Sequence, residues 1–176
     1  MEKHYRESDI KEKIIEALNK IFYTKNIEPL YICIGSDRHI LDCYGPLVGT
    51  MLEERAAGLL VYGTLDQPLH AKNMVKEIAK IKANHPETID VAIDASVGNE
   101  KDLGIIRIKR GFLIPGKATA KRLPPVGQVS ITGTVGLRFD KRGSKSSNSG
   151  SITSVYHMAK CTSEAIDQWN KNRVRQ

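Results

Sequence analysis

The sequence predicts a three-layer α/β/α sandwich around a mixed, mostly parallel sheet. A near-continuous apolar run at residues 29–34, and a second apolar run that ends on Asp94 in the strand predicted at residues 88–94, are typical of buried strands in such a sheet. Segments with helical apolar spacing lie before, between and after these runs, which is the alternation of an α/β domain. The 176 residues fit one domain of ordinary size, so we predict a single core over residues 1–176.

The first predicted helix begins after Asp9, which forms a candidate capping box with Glu12. The helix runs to about Phe22. Four aliphatic side chains recur on one of its faces and predict that this face is buried: Ile10, Ile14, Leu18 and Ile21.

Two βα units follow the first helix. The buried strand at residues 29–34 leads to a helix over residues 47–55, which Pro46 opens. A second buried strand is predicted at residues 58–62, and the strand at residues 88–94 closes this part of the chain. Between those two strands, five apolar residues at helical spacing predict a further helix: Ala71, Met74, Val75, Ile78 and Ile81.

The second half of the sequence has a different pattern. Residues 104–109 and 129–135 read as strands without a helix between them, which predicts a hairpin or a mixed edge of the sheet. Residues 115–127 form a Pro- and Gly-rich loop, and residues 138–151 predict a flexible one. A final helix is predicted to pack on the sheet through one stripe: Val155, Met158, Ala159, Thr162, Ile166 and Trp169.

Composition favours a cytoplasmic protein. No segment approaches the ~20 apolar residues that cross a bilayer, and the charged N-terminus lacks the apolar region of a secretory signal. The three cysteines are odd in number and have no CxxC spacing: Cys33, Cys43 and Cys161. We therefore expect neither a disulfide nor a structural zinc site.

The formal net charge of +7 raises the question of nucleic-acid binding. The basic residues cluster only at residues 107–110, 117–122, 138–145 and 171–175. Few aromatic residues for base stacking lie among them. The pattern favours a solvated surface with a basic tail, and we do not expect nucleic acid as a partner.

Two aspartates carry the main functional hypothesis. Asp42 follows the first buried strand by a short loop, and Asp94 ends the third. In an open α/β sheet, ligands bind outside the carboxyl ends of the strands, beside a topological switch point. Two carboxyls that meet there share one proton and can act as base and acid on one water. An Asp after a strand is also a common cap or loop hydrogen-bonder, so from spacing alone both readings stay open.

Three further side chains near these segments are candidate supporting or substrate-binding residues. Asp37 is predicted to hold its loop by accepting backbone N–H bonds, with substrate positioning as the alternative. Histidine is the side chain that ordinarily changes charge near neutral pH, but a lone loop histidine such as His39 is more often only exposed. His70 lies at the edge of its predicted helix's apolar stripe, which favours a partly buried structural histidine over a catalytic one.

The remaining residues near Asp42 and Asp94 are interpreted as mainly structural. Cys43 would be a nucleophile only with a base in reach, so a small buried thiol is expected. Gly45 is predicted to let the loop turn into the helix. Ser96 is expected to cap Asp94 or to donate a hydrogen bond to it.

Four motifs carry a resemblance to a known family. They are G-S-D-R-x-x-x-D-C-x-G-P-L-V-G at residues 35–49, V-Y-G-T-L-D-x-P-x-H-A at 61–71, D-V-A-I-D-A-S at 90–96 and V-G-x-V-S-I-T-G at 126–133. Together they resemble the YyaC family of sporulation proteins from endospore-forming Firmicutes. That family is similar to the germination protease, which degrades small acid-soluble spore proteins. Both share the fold of hydrogenase-maturation endopeptidases.

The resemblance implies a phosphorylase- and hydrolase-like α/β/α domain with Asp42 and Asp94 as the catalytic aspartates. It implies peptide-bond hydrolysis in the cytoplasm of the sporulating cell or the spore. A protein or peptide substrate, such as a small acid-soluble spore protein, is then the expected partner. In the maturation peptidases the acid pair binds nickel together with a histidine, for which His157 is the one candidate in the last third of the chain. His157 lies on the side of the final predicted helix opposite its apolar stripe, so we expect it to be exposed.

We therefore expect no cofactor, although metal at the aspartate pair stays open. A noncatalytic spore protein that binds a peptide or protein partner in the same crevice is the alternative. A metal-dependent peptidase acting on one maturing partner is a third reading. The sequence also leaves a homo-oligomer open.

Overall fold

The structure, a computed structural model, describes residues 1–23, 27–55, 58–115, 123–138 and 150–174. The predicted flexible loop at residues 138–151 falls almost entirely on residues 139–149, outside the described residues. Part of the predicted loop at residues 115–127 lies outside them as well.

Six strands and four helices form within the described ranges. The strands are β1 Glu2–His4, β2 Pro29–Cys33, β3 Leu60–Tyr62, β4 Ile89–Gly98, β5 Ile105–Arg110 and β6 Val129–Leu137. The helices are α1 Ile10–Ile21, α2 Tyr44–Arg55, α3 Met74–Asn84 and α4 Ile152–Val174.

The strands form one mixed sheet in the order β1-β5-β6-β4-β2-β3. β6, β4, β2 and β3 are parallel, whereas β1 and β5 run antiparallel to their neighbours. The predicted fold class and the β5-β6 hairpin are therefore confirmed. β1 was not predicted, because three polar residues carry no strand signal of their own.

Helices cover both faces of the sheet. On one face, α1, α2 and α4 pack on a core whose largest buried side chains include Tyr31, Tyr44 and Trp169. On the other face, Met74 and Ile81 of α3 pack on the β2 side of the sheet. The periodicity of α1 and α4 is confirmed, since the predicted stripe residues are buried, with only Ile21 partly exposed.

The chain reverses direction across the sheet between β2 and β4. From β2 it passes through α2 to β3 on one side, and from β3 through α3 to β4 on the other side of β2. Because right-handed crossovers in opposite directions lie on opposite faces, α2 and α3 flank the sheet from two sides. The topological switch point thus lies between the carboxyl ends of β2 and β4.

Two predictions about individual elements, the capping box of α1 and the burial of β3, were wrong. The capping box does not form, because the Asp9 carboxylate pairs with Lys3 of β1 instead of with its own helix. The strand predicted as buried at residues 58–62 is the edge strand β3, and its three side chains are only partly buried.

The two central helices also differ from their predicted starts. α2 begins at Tyr44, so Pro46 lies inside its first turn, where a missing N–H leaves no bond unmade. α3 begins at Met74 and not near Ala71.

Candidate functional site at the carboxyl ends of β2 and β4

A short 3-10 turn, Ile40–Asp42, holds Asp42 above the end of β2. The Asp42 carbonyl oxygen accepts a hydrogen bond from the Ser36 N–H at 3.0 Å. Gly35 makes this approach possible: its φ of +143° is in the region that favours glycine, and a Cβ there would collide with the Asp42 carbonyl oxygen. The loop is therefore closed on itself, with the Asp42 side chain exposed at its end.

Gly45 lets the first turn of α2 lie directly on the sheet. A Cβ at this position would collide with the Ile34 carbonyl oxygen and stand 2.8 Å from the Ile93 carbonyl oxygen. The glycine thus brings the Asp42 turn down onto the ends of both strands. This agrees with the predicted role of Gly45 as a backbone device.

Asp94 lies on β4 next to the switch point. The Ile34 N–H bonds to the Ile93 carbonyl oxygen at 2.7 Å, so Asp94 is the first β4 residue beyond the paired length of β2. Its side chain is 8% exposed. The prediction that Asp94 ends its strand was wrong, because β4 continues to Gly98 by pairing with β6. Asp94 is instead level with the end of the neighbouring β2.

The two carboxyls are close enough to affect each other's protonation. Burial raises the pKa of Asp94 well above its usual value of 3.8, and the negative charge of Asp42 raises it further. The backbone N–H of Ala95 opposes that rise. Partial loss of hydration also raises the pKa of Asp42, and His39 and His70 nearby oppose that rise only when they are protonated. The environment therefore favours the proton on Asp94 and the negative charge on Asp42.

Both histidines have their ring orientation set by the backbone. The Nδ1 atom of His39 accepts the Leu41 N–H at 3.2 Å, and that of His70 accepts the Lys72 N–H at 3.3 Å. In the neutral form each ring therefore carries its proton on Nε2.

His39 is exposed, as predicted, and caps the 3-10 turn. His70 is partly buried, as predicted, but the helix assignment was wrong. It lies in the turn before α3, where its carbonyl oxygen accepts the Met74 N–H. Leu69, next to it, pairs with Ile34 at the end of β2 and accepts the Gly35 N–H at 2.9 Å, which holds His70 beside the crevice.

Two supporting side chains make different contacts from those predicted. The Arg38 N–H bonds to the Ser36 hydroxyl at 3.2 Å, so Ser36 has the turn-forming role expected of Asp37. Asp37 is exposed, and among the described parts of the chain its carboxylate receives a 3.4 Å contact from the Ser36 hydroxyl. The Ser96 hydroxyl bonds to Thr134 of β6 at 3.1 Å and not to Asp94.

Cys43 is a buried thiol, as predicted. Its side chain is 6% exposed, and Sγ donates to the Ile40 carbonyl oxygen at 3.3 Å. Burial raises the pKa of the thiol, and the charge of Asp42 adds to the rise. The thiol is therefore protonated and poorly suited to act as a nucleophile.

Neither a metal cluster nor a membrane helix is found in the described residues. Within ranges 1–23, 27–55, 58–115, 123–138 and 150–174, no group of three or more His, Cys, Asp or Glu side chains is arranged to hold a metal ion. His157 is exposed on α4. Over the same ranges, no helix is long and apolar enough to span a bilayer.

Polar residues of β6 and β5 lie beside Asp94 and were not predicted from the sequence. Thr132 pairs with Asp94 across β4 and β6, and Arg107 of β5 pairs with Thr132. A signal was present, because Ser130, Thr132 and Thr134 alternate with apolar residues in β6. Its meaning depends on β6 being central, which the residues alone did not reveal.

These strands and helices define the α/β/α fold of a hydrogenase maturation protease. The chain is similar to the crystal structure of the NiFe hydrogenase maturation protease HycI from Thermococcus kodakarensis KOD1, with a TM-score of 0.56 and 18% identity. The similarity covers 88% of this chain and 99% of that chain. At this identity the likeness concerns the fold alone.

The chain belongs to the family described as a protein of unknown function, DUF1256, whose model matches residues 2–165. It is also 41% identical over 107 residues to the uncharacterized protein YyaC of Bacillus subtilis (strain 168), which confirms the resemblance to that family. This match covers 60% of the present chain and 52% of YyaC, so the chain spans about half the length of that relative.

Proposed function

We propose that this protein is a peptidase that hydrolyses peptide bonds with Asp42 and Asp94 as an aspartate pair. One observation carries the proposal: two carboxyls from separate segments lie at the switch point of the sheet, close enough for the charge of one to raise the pKa of the other. The likeness of the fold to a maturation protease supports the reaction class.

The surroundings of the two carboxyls assign their roles. Asp94 is buried and has the more strongly raised pKa, so it holds the proton and acts as the acid. The pKa of Asp42 is also raised by partial loss of hydration, but less strongly, and its side chain reaches solvent, so Asp42 acts as the base. The protonated Cys43 next to it takes no part.

Hydrolysis then proceeds without a covalent intermediate. Asp42 accepts a proton from a water molecule, the water oxygen bonds to the carbonyl carbon, and Asp94 protonates the carbonyl oxygen. When the tetrahedral intermediate collapses, the carbon–nitrogen bond breaks and Asp42 passes its proton to the departing amine. The hydroxyl proton returns to Asp94 as the carbonyl is re-formed.

The proposed setting is sporulation. The motifs at residues 35–49 and 90–96 resemble those of the sporulation proteins of the YyaC family, and the chain is 41% identical over 107 residues to YyaC of Bacillus subtilis. We infer that the substrates are spore proteins, with small acid-soluble spore proteins as the first candidates. The proposed compartment is the cytoplasm of the sporulating cell or the spore.

The test is digestion of a panel of small acid-soluble spore proteins from about pH 4 to 8, read by intact-mass spectrometry. We expect chelator-resistant fragments with the wild type. Because each carboxyl moves a proton in the reaction, Asp42→Asn and Asp94→Asn should each lower the rate by about 10²- to 10⁴-fold. Asp66→Asn, an exposed aspartate in the loop that follows β3, is the matched control for loss of a carboxylate and should cleave normally.

Three results would redirect the account. Cleavage that persists in both Asn variants would remove the aspartate pair from the mechanism. Cleavage that chelator abolishes would favour a metal-dependent peptidase. Binding of a spore protein by wild type and Asn variants alike, with no fragment at any pH, would favour the noncatalytic binding protein.

A further inference from the structure

A cavity of about 520 Å³ lies between the N-terminal segment and the outer side of α4. Tyr5 and Arg6, in the turn between β1 and α1, line one side of it, and the first half of α4 lines the other. Among the described residues, its lining includes none of the Asp42 turn or of β4. Its volume is within the range of about 300–1,000 Å³ of small-molecule sites, so the cavity is a candidate binding site separate from the aspartate pair.

Arg6 is held at the cavity with its two terminal nitrogens free. Its Nε–H donates to the Tyr5 hydroxyl at 3.0 Å, and its guanidinium carbon lies 5.4 Å from the centroid of the Tyr5 ring. Tyr5 is itself fixed, because its N–H bonds to the Gly104 carbonyl oxygen at 2.9 Å and its hydroxyl bonds to the Ser154 hydroxyl at 3.3 Å. Within the described residues, neither Nη1 nor Nη2 of Arg6 has a hydrogen-bond or ion-pair partner. The guanidinium therefore offers an oriented fork to an anion.

The α4 side of the cavity adds positive charge. Lys160 and His157 lie three residues apart in the lining, and Lys160 forms no ion pair within the described part of the chain. Glu164 is the one acidic residue among the described lining residues, and it pairs with Lys11 at 3.6 Å and with Arg55 at 3.4 Å. Because those two cations offset the charge of Glu164, the cavity keeps an excess of positive charge.

We propose that this cavity binds a phosphate group, either as the free ion or as the ester of a small metabolite. A phosphate ester carries about two negative charges at neutral pH and three strong acceptor oxygens. The Arg6 fork binds two of these oxygens, and Lys160 supplies the second positive charge. The Thr153 hydroxyl and the His157 ring, both in the lining, provide further donors. A carboxylate has only two oxygens, which the Arg6 fork alone would occupy.

Titration of ¹⁵N-labelled protein at constant ionic strength tests this proposal. Inorganic phosphate and ribose 5-phosphate are added in separate series, with succinate as the dicarboxylate control, and binding is followed in ¹H–¹⁵N spectra. We expect shifts concentrated on the amides of Arg6, Thr153, His157 and Lys160, and tighter binding of phosphate than of succinate. The tighter of the two phosphate probes then distinguishes the ester from the free ion as the source of the group.

Charge-removing variants locate the binding. Arg6→Gln and Lys160→Gln should each weaken phosphate binding about tenfold, because each removes a hydrogen bond to a charged group. Arg6→Lys should lose part of the affinity, since it keeps the charge without the fork. Lys76→Gln, exposed on α3 on the other face of the sheet, removes the same charge and should leave the affinity unchanged. Lys160→Gln breaks no ion pair within the described residues, so it tests the site even if Arg6→Gln displaces Tyr5.

Three results would overturn the proposal. They are shifts spread over the whole basic surface, equal affinity for succinate, and a loss in Lys76→Gln as large as in the two cavity variants. Each would mean that phosphate only screens the net charge of the protein. Because the cavity is separate from Asp42 and Asp94, failure of phosphate binding would leave the proposed peptidase function in place, and loss of that function would leave the phosphate site in place.

Discussion

At the scale of single residues, Asp94 combines deep burial with a negative neighbour. A buried carboxylate is unfavourable unless it is paired or hydrogen-bonded, and Asp94 has Asp42 beside it where a cation would stabilise it. Asp90 lies four residues earlier on the same face of β4. It is only 3% exposed, but its carboxylate forms an ion pair with Lys82 at 2.7 Å. The unpaired carboxyl is the one at the switch point, as expected for a functional group.

Replacing Asp94 by Asn should stabilise the fold. The pKa of Asp94 is higher in the folded than in the unfolded chain, so the folded state holds more protons above about pH 4. The free energy of unfolding therefore falls as pH rises through that window, by about 1.4 kcal/mol for each unit of pKa elevation. Asp94→Asn removes this loss.

Urea unfolding at pH 4 and at pH 8 measures the effect. The gain in the free energy of unfolding for Asp94→Asn should be small at pH 4 and largest at pH 8. Asp66→Asn, which is exposed, should change stability by less than about 0.5 kcal/mol at either pH. A destabilised Asp94→Asn at pH 8 would contradict the burial of an unpaired carboxyl.

At the scale of elements, local patterns predicted most of the helices and strands. The apolar stripe of α4 and the apolar runs of β2 and β4 are visible in their own segments of sequence, because elements of these types are buried in any α/β sheet. The capping box at the start of α1 was mispredicted because the Asp9 carboxylate forms an ion pair with Lys3, a residue of the unpredicted strand β1. The extension of β4 beyond Asp94 depends on pairing with β6, which no local pattern reveals.

Gly45→Ala should destabilise the junction between β2 and α2. The added Cβ meets backbone oxygens of Ile34 and Ile93, which cannot move aside as a flexible side chain would. We expect a loss of about 3 kcal/mol in the free energy of unfolding, together with reduced activity because the Asp42 turn is displaced.

Chemical unfolding of Gly45→Ala beside Glu53→Ala measures this loss. Glu53 is exposed on the same helix, so its substitution should change stability by less than about 0.5 kcal/mol. Wild-type stability in Gly45→Ala would mean that α2 does not lie directly on the ends of the strands.

At the scale of the whole molecule, topology brings together two segments that are far apart in sequence. The alternation of apolar runs and amphipathic helices was enough to predict an α/β/α domain and to direct attention to Asp42 and Asp94. It was not enough to predict the polar row of Thr132 and Arg107, because that row depends on the strand order β5-β6-β4. The hydrogen bond between Ser96 and Thr134 likewise depends on the pairing of β4 with β6.

The most direct test of the aspartate pair needs no substrate. Carboxyl ¹³C resonances of Asp42 and Asp94 are followed by NMR as a function of pH in the wild type, Asp42→Asn and Asp66→Asn. We predict that Asp94 titrates well above 3.8, that Asp42→Asn lowers its apparent pKa because a negative charge is removed, and that Asp66→Asn does not. An Asp94 that titrates near 3.8, or is unaffected by Asp42→Asn, would contradict the account.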